Sequence, residues 1–225
     1  MRTSLLLALV SLSAPLALAQ EPNELYRFNG SKNLGRAVGS AGDVDRDGHQ
    51  DFIAAAYFLD GYAEVRSGID GALLFRISSQ ADYFGEFVAG GGDVNADGYP
   101  DFAVSSRWDP YPQVRIKVYS GKDATLLLDL PIDATAQYSQ CLAFAGDVDR
   151  DGHDDVLVGT PQASVGHFYD GAVLLFSGRD GSILFEQDGW ESSQELGWSV
   201  AATGDVNLDG VPDFAYTRSR PACCV

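Results

Sequence analysis

Four short acidic segments have the residue types and the spacing of a divalent-cation site. Each follows the pattern D-x-[DN]-x-D-G-x-x-D, with oxygen-bearing side chains at positions 1, 3, 5 and 9 and a glycine at position 6. They span residues 43–51, 93–101, 147–155 and 205–213 and are numbered loops one to four. A hard cation such as Ca²⁺ takes about six to eight oxygen ligands, which a tight loop supplies from alternate residues. The glycine permits a sharp turn that a side chain would resist.

The predicted ligands occupy positions 1, 3, 5, 7 and 9 of each loop, and position 7 is expected to contribute only its backbone carbonyl. The full set is Asp43, Asp45, Asp47, His49, Asp51, Asp93, Asn95, Asp97, Tyr99, Asp101, Asp147, Asp149, Asp151, His153, Asp155, Asp205, Asn207, Asp209, Val211 and Asp213. Four loops in register predict up to four bound Ca²⁺ ions. Loops one and three offer four carboxylates each, so we expect them to bind more tightly than loops two and four, where Asn replaces one.

The charge of the chain supports this interpretation. The formal net charge is −17, and 15 of the 32 acidic residues lie in the four loops. A strongly acidic protein is a poor partner for nucleic acid or for an anionic membrane. Four divalent ions would reduce the net charge to about −9, so the excess of acid is expected to be coordination capacity.

Residues 1–19 have the features of a signal peptide. Arg2 supplies the positive start, residues 5–12 form an apolar stretch, and cleavage is predicted between Ala19 and Gln20. The apolar stretch is far shorter than the roughly 20 residues that cross a bilayer. An uncleaved membrane anchor is the alternative. The mature chain is therefore predicted to be secreted, periplasmic or displayed at the cell surface.

The elements that must position these loops repeat with them. The loops begin 50, 54 and 58 residues apart, and a period near 50 indicates one supersecondary unit per repeat. Each unit is predicted as strand, acidic loop, strand, variable loop, strand, tight turn, strand. No segment has a sustained 3.6-residue apolar period, so almost no helix is expected. The predicted fold is all-β, a β-propeller of four-stranded antiparallel blades; a β-solenoid is the alternative.

The pattern resembles the FG-GAP repeat of integrin α-subunit propellers and of many secreted bacterial proteins. Phe84-Gly85 matches the FG element, and Gly159-Thr160-Pro161 comes nearest to GAP. The resemblance covers about residues 24–218. It implies that each Ca²⁺ loop joins the first and second strands of a blade on one face, and that ligands bind the opposite face.

The propeller is predicted at residues 20–220, with repeats at about 24–77, 78–130, 131–187 and 188–218, and an irregular tail at 221–225. The sequence thus offers three full blades, part of a fourth and a leading strand at residues 24–28. A truncated gene product or a fragment is the favoured interpretation. Remaining blades or another chain would then close the propeller; a compact four-bladed closure is the alternative.

Aromatic residues in the variable loops are candidates for ligand binding. They are Tyr57, Trp108, Tyr111 and Tyr169, which can stack on sugars or anchor a protein partner. Packing between blades would account for them equally well. No nucleophile motif and no phosphate-binding loop occurs, so the chain is predicted to be a non-catalytic, Ca²⁺-binding module for adhesion or for protein or carbohydrate binding. The alternatives are a scaffold or fragment of a secreted lyase or hydrolase, and a degenerate fragment without an independent role.

Overall fold

The computed structural model describes residues 34–57, 61–79, 83–108, 113–132 and 141–219. These residues form fourteen β-strands, and no helix among them is long and apolar enough to cross a membrane. The predicted signal peptide, the predicted leading strand, Tyr111 and the predicted tail lie outside the described residues. The all-β prediction is confirmed.

The strands form three four-stranded sheets, β1–β4, β5–β8 and β9–β12, and a two-stranded sheet, β13–β14, and within each sheet strands that are consecutive in sequence pair antiparallel. The bounds are β1 Leu34–Gly42, β2 Asp51–Ala56, β3 Tyr62–Arg66, β4 Leu73–Ser78, β5 Val88–Gly92, β6 Asp101–Trp108, β7 Gln113–Tyr119, β8 Leu126–Ile132, β9 Cys141–Gly146, β10 Asp155–Thr160, β11 Ala172–Phe176, β12 Ile183–Asp188, β13 Leu196–Gly204 and β14 Asp213–Arg218. Each acidic loop joins the first strand of its sheet to the second, as the resemblance implied.

Burial explains why the strands differ in sequence. The middle strands β10 and β11 are buried along their whole length; β11 is apolar throughout, and β10 is apolar between its terminal residues Asp155 and Thr160. Strands that are covered on both faces need no polar alternation. The outer strand β12 is largely exposed and mixes Ile183 with Glu186 and Asp188. The apolar runs therefore mark the interior of each sheet.

The sheets stack face to face in chain order. The first strands β1, β5, β9 and β13 contact one another in sequence, and an apolar cluster lies between each pair of neighbouring sheets. Between the first and second sheets, Ile53 and Val65 pack against Phe84 and Phe102, all fully buried. Burying such a side chain contributes about 1.5–3 kcal/mol. This stacking of antiparallel sheets around their first strands is the blade arrangement of a propeller.

Two neighbouring-sheet contacts depend on glycine and proline. Gly42 ends β1 at φ +82°, and a side chain there would overlap Pro100 of loop two. Gly146 ends β9 at φ +81°, where an added Cβ would lie 2.9 Å from Pro212 of loop four. Both positions combine a left-handed backbone with close approach, which glycine alone tolerates without strain. The first and second sheets, and the third and fourth, are joined by the same contact.

A buried aspartate at position 9 ties each of the first three loops to its sheet. In the third sheet, Asp155 Oδ2 accepts the N–H of Val148 in the loop at 2.9 Å, and Asp155 Oδ1 accepts the N–H of Gly178 in the β11–β12 turn at 3.0 Å. The equivalent trios are Asp51 with Val44 and Gly68, and Asp101 with Val94 and Gly121. One carboxylate thus fixes the acidic loop and the turn to the second strand.

The turn glycines Gly68, Gly121 and Gly178 have no room for a side chain, so adding one should destabilise the fold. A Cβ on Gly178 would overlap the Asp154 carbonyl oxygen. We expect Gly178→Ala to lower the free energy of unfolding by about 3 kcal/mol, the upper range for overpacking, in urea unfolding. Gly166→Ala is the control, because its nearest neighbour would be Asp170 Oδ2 at 3.5 Å, an ordinary contact. Equal stability of the two variants would contradict the prediction.

Candidate functional site

The acidic loops fold on their own carboxylates. In loop three, the N–H of Asp151 donates to Asp147 Oδ1 at 2.9 Å and to Asp149 Oδ1 at 3.1 Å. The N–H of Gly152 donates to Asp147 Oδ2 at 2.9 Å, and the N–H of His153 to Asp151 Oδ1 at 3.0 Å. Local hydrogen bonds from Asp side chains to the backbone two residues on are a common turn device. They bring the side chains of positions 1, 3 and 5 together.

The other loops repeat this geometry. The glycine N–H at position 6 donates to the position 1 carboxylate at 3.0, 2.8 and 2.8 Å in loops one, two and four. Position 4 has a left-handed backbone in all four, with φ between 56° and 63°. The residues there are Arg46, Ala96, Arg150 and Leu208. The sequence signalled the glycine but not position 4, since no residue there is one that favours positive φ.

Loops one and three assemble groups of carboxylates that fit a hard cation. Oxygens of Asp43, Asp45 and Asp51 lie within 4.8 Å of one another in loop one, and loop three has a corresponding group at positions 1, 3 and 5. Asp43 Oδ1 is buried and has no hydrogen-bond partner. A buried carboxylate oxygen without a partner is costly, and a metal ion would satisfy it. The donor atoms are all oxygens, as Ca²⁺ requires.

Electrostatic repulsion inside loop one points the same way. Loss of solvation raises the pKa of Asp45, and the carboxylates of Asp51, Asp47 and Asp43 raise it further. Like charges this close disfavour the ionised form unless a cation offsets them. The metal-free loop therefore holds its carboxylates together at an electrostatic cost.

Loops two and four replace one carboxylate by an amide. Asn95 Oδ1 accepts the N–H of Asp97 at 3.1 Å, and Asn207 Oδ1 accepts the N–H of Asp209 at 2.8 Å. The amide thus keeps the fold of the loop while lowering its charge. In loop two, Lys122 Nζ lies 4.0 Å from Asp97 Oδ2. The assignment of individual ligands in all four loops stays a prediction.

One position 7 side chain has a contact that the sequence did not predict. His153 Nδ1 lies 2.7 Å from the carbonyl oxygen of Val94 in loop two. The next residue, Asp154, accepts the N–H of Asp93 at 2.9 Å and donates its own N–H to the Asp93 carbonyl at 3.0 Å. Loop three therefore holds the start of loop two. The pairing depends on the stacking of blades and leaves no mark in either loop alone.

The described aromatic candidates belong to different sheets. Tyr57 follows β2, with its ring centroid 5.5 Å from that of Tyr83. Tyr169 precedes β11, and its ring centroid lies 4.0 Å from that of the exposed Phe168. Trp108 ends β6. The role of all four candidates in ligand binding stays a prediction.

A cavity of about 280 Å³ lies beside the last sheet. Its lining is Gln187, Trp190, Leu196, Tyr216, Thr217 and Arg218. Arg218 ends β14 at the end remote from loop four, so the cavity is on the face away from the acidic loops. Arg218 Nη1 is buried without a hydrogen-bond partner, and Arg218 Cζ lies 5.3 Å from the centre of the Trp190 ring. The lining comes from three separate elements, which is why sequence reasoning did not find it.

Comparison with known proteins agrees with the fold and with the loops. The model of the FG-GAP-like repeat matches residues 93–158, and that of the FG-GAP repeat matches residues 142–176. Integrin alpha pat-2 of Caenorhabditis briggsae is 36% identical over 91 residues, covering 37% of this chain and 7% of the relative. Integrin alpha-8 of Mus musculus is 30% identical over 109 residues, covering 44% of this chain and 10% of the relative.

The chain thus spans a tenth or less of the length of these relatives. The matched residues include the acidic loops of the second and third sheets, whose geometry is described above. Residues 93–176 therefore contain FG-GAP repeats, and the antiparallel sheets are the blades of an integrin-α-like β-propeller.

Proposed function

We propose that this chain is an exported, Ca²⁺-stabilised propeller module that binds a protein or carbohydrate ligand and has no catalytic role. Two observations carry the metal part: Asp43 Oδ1 is buried without a partner, and the Asp43 carboxylate has an oxygen within 4.8 Å of oxygens of Asp45 and Asp51. The same loop fold occurs four times. Export is supported by the signal-peptide pattern before Gln20. Loops with this number of oxygen ligands also suit the Ca²⁺ concentration found outside cells.

The ions would have a structural role. Each loop joins the first and second strands of a blade, so an ion that neutralises its carboxylates stabilises that connection. Positions 3 to 8 of loop one are exposed, so an ion bound there would exchange with solvent. Such sites suit the millimolar Ca²⁺ found outside cells. Positions 1, 3, 5 and 9 would supply side-chain oxygens, with the carbonyl of position 7 completing the set.

Ligand binding is proposed for the face opposite the loops. The cavity there combines the indole of Trp190, the phenol of Tyr216 and the unpartnered guanidinium N–H of Arg218. An aromatic platform stacks on a sugar ring or an apolar side chain. A guanidinium recognises a carboxylate. The described lining has no carboxylate or histidine that could act as a general base, which favours binding over the enzyme alternative.

The difference in charge between the loops predicts a difference in affinity. Asp149→Asn gives loop three the amide that loops two and four have at position 3. We expect Ca²⁺ binding to loop three to weaken by roughly tenfold, because fewer carboxylates oppose the ion. Isothermal titration of the variant and the parent chain measures this. The control is Asp180→Asn, the same change at an exposed turn where Oδ1 accepts the N–H of Ser182. Similar losses in both variants would count against a site in loop three.

The pH dependence of stability should reverse sign when Ca²⁺ is added. Burial raises the pKa of Asp101 and of Asp155 to about 6 in the folded, metal-free protein, above the ordinary value of 3.8. The folded state then binds protons before the unfolded state does. The free energy of unfolding in EDTA should therefore rise as pH falls from about 7 to about 4.

With Ca²⁺ at saturation, protons compete with the ion for the same carboxylates. Stability should then fall as pH falls through about 6. Urea unfolding at pH 7, 6 and 5, in EDTA and in Ca²⁺, distinguishes the two trends. The same slope under both conditions would show that the loops hold no ion.

The cavity predicts a preference for acidic sugars. We expect glucuronate to shift the resonances of Trp190 and Arg218 in NMR spectra more than glucose does, because Arg218 offers a free N–H to a carboxylate. Trp190→Ala should weaken the binding of both sugars by about tenfold, because the indole is the apolar surface against which a sugar ring would pack. Arg218→Gln should remove only the preference for glucuronate.

Trp198→Ala is the matched control, because Trp198 is exposed on β13 and does not line the cavity. Equal effects of Trp190→Ala and Trp198→Ala, or no shift with either sugar, would move ligand binding away from this cavity.

A further inference from the structure

Two arginines extend from one acidic loop to the next. Arg46, at position 4 of loop one, donates from Nη2 to the carbonyl of Gly98 and, at 3.4 Å, to that of Asp97. Its Cζ lies 3.6 Å from the centre of the Tyr99 ring, a cation–π contact. Arg150, at position 4 of loop three, donates from Nη2 to the carbonyl of Asp209 at 2.8 Å. Arg46 thus holds positions 5 and 6 of loop two, and Arg150 holds position 5 of loop four.

The loops alternate in a way that matches these contacts. Loops one and three have Arg at position 4 and Asp at position 3, whereas loops two and four have an apolar residue at position 4 and Asn at position 3. The loops that donate an arginine are therefore those with the higher charge. The contact between loops two and three is of another kind, since it joins Asp154 and His153 to the first two residues of loop two.

The arginine lies between two predicted ligands. Asp45 and Asp47 flank Arg46, whose backbone is held at φ +61°. A left-handed backbone is unfavourable for a non-glycine residue, so the closed loop must hold Arg46 in it. An ion bound by Asp45 and Asp47 would keep it closed. Occupation of loop one would therefore restrict Arg46 further to this backbone, and with it the direction of its side chain.

The acceptor carbonyls lie directly before a predicted ligand. Asp97 and Gly98 precede Tyr99, whose carbonyl is expected to bind the ion of loop two. Hydrogen bonds to both preceding carbonyls, together with the ring contact, fix the peptide planes that lead to that oxygen. A ligand that is already in place loses less entropy when the ion binds. Order in loop one is thereby passed to loop two.

Charge repulsion does not cancel this effect. The guanidinium repels an ion in loop two, but its charge is the same whether loop one is filled or empty. Direct repulsion between the two ions is present with or without Arg46. These two repulsions therefore do not contribute to the coupling that Arg46 causes. A double-mutant cycle measures that coupling alone.

We propose that Arg46 couples Ca²⁺ binding in loop one to Ca²⁺ binding in loop two, and that Arg150 couples loop three to loop four. The coupling is positive, so each arginine makes a cooperative pair of two neighbouring blades. This inference rests on the proposed Ca²⁺ sites and adds their regulation.

The test follows each site through its own position 6 glycine, because that N–H donates to a position 1 carboxylate and senses the ion. Ca²⁺ is titrated into the full chain, and the amide resonances of Gly98 and Gly210 are recorded. Asp45→Asn weakens loop one. In the presence of Arg46, this change should weaken Ca²⁺ binding to loop two, as read from the Gly98 resonance, by about fivefold or more, the lower range of allosteric coupling. In the Arg46→Leu background, Asp45→Asn should change the Ca²⁺ affinity of loop two by less than about twofold.

Arg46→Leu is expected to fold, because Leu208 has the same left-handed backbone at position 4 of loop four. Arg150→Leu is the matched control, and it should change the affinity at Gly210 but not the response of Gly98 to Asp45→Asn. An equal effect of Asp45→Asn with and without Arg46 would overturn the coupling, as would no effect in either. No Ca²⁺-dependent shift of any position 6 glycine would instead overturn the proposed metal sites.

Discussion

The structure depends on one buried carboxylate in each full blade. Asp51, Asp101 and Asp155 are at most 2% exposed, and each accepts two backbone N–H groups from segments far apart in sequence. A buried charge is tolerated only when it is well hydrogen-bonded, so these aspartates specify both partners strictly. The acidic loop cannot shift relative to the tight turn without leaving the carboxylate unsatisfied. The carboxylate therefore fixes the position of the acidic loop relative to the turn.

The fourth sheet shows what the hydrogen bond from the turn glycine contributes to burial of the position 9 aspartate. Asp213 Oδ2 accepts the N–H of Val206 at 2.9 Å, as its counterparts do, but the described residues include no third strand to bring a turn glycine to Oδ1. Asp213 is only half-buried, and Val206 and Leu208 are 69% and 87% exposed. Loop four nevertheless keeps the fold of the other loops. Loop closure is thus local, whereas burial of the aspartate requires the complete blade.

Much of this architecture follows from the sequence, because repetition multiplies weak signals. Positions 1, 3, 5 and 9 of the loops, the apolar middle strands and the S-G-x-D turns each recur, so the all-β propeller prediction was confirmed. The contacts between blades were not predictable. How the sheets stack determines the Arg46–Gly98 contact, the His153–Val94 contact and the cavity beside Trp190. The pattern within one repeat does not encode the distance between neighbouring sheets. The left-handed backbone of position 4 was missed for a different reason, since its residues have no preference for it.

The Gly42–Pro100 and Gly146–Pro212 contacts have a consequence for how such chains grow. Both occur between an odd and the following even blade, whereas the neighbour of the corresponding Gly92, between the second and third blades, is Phe144. The glycine–proline contact therefore recurs with every second blade. Removal of a single blade would leave the glycine of one contact without its proline, so a consensus design should take the blade pair, about 100 residues, as its building block.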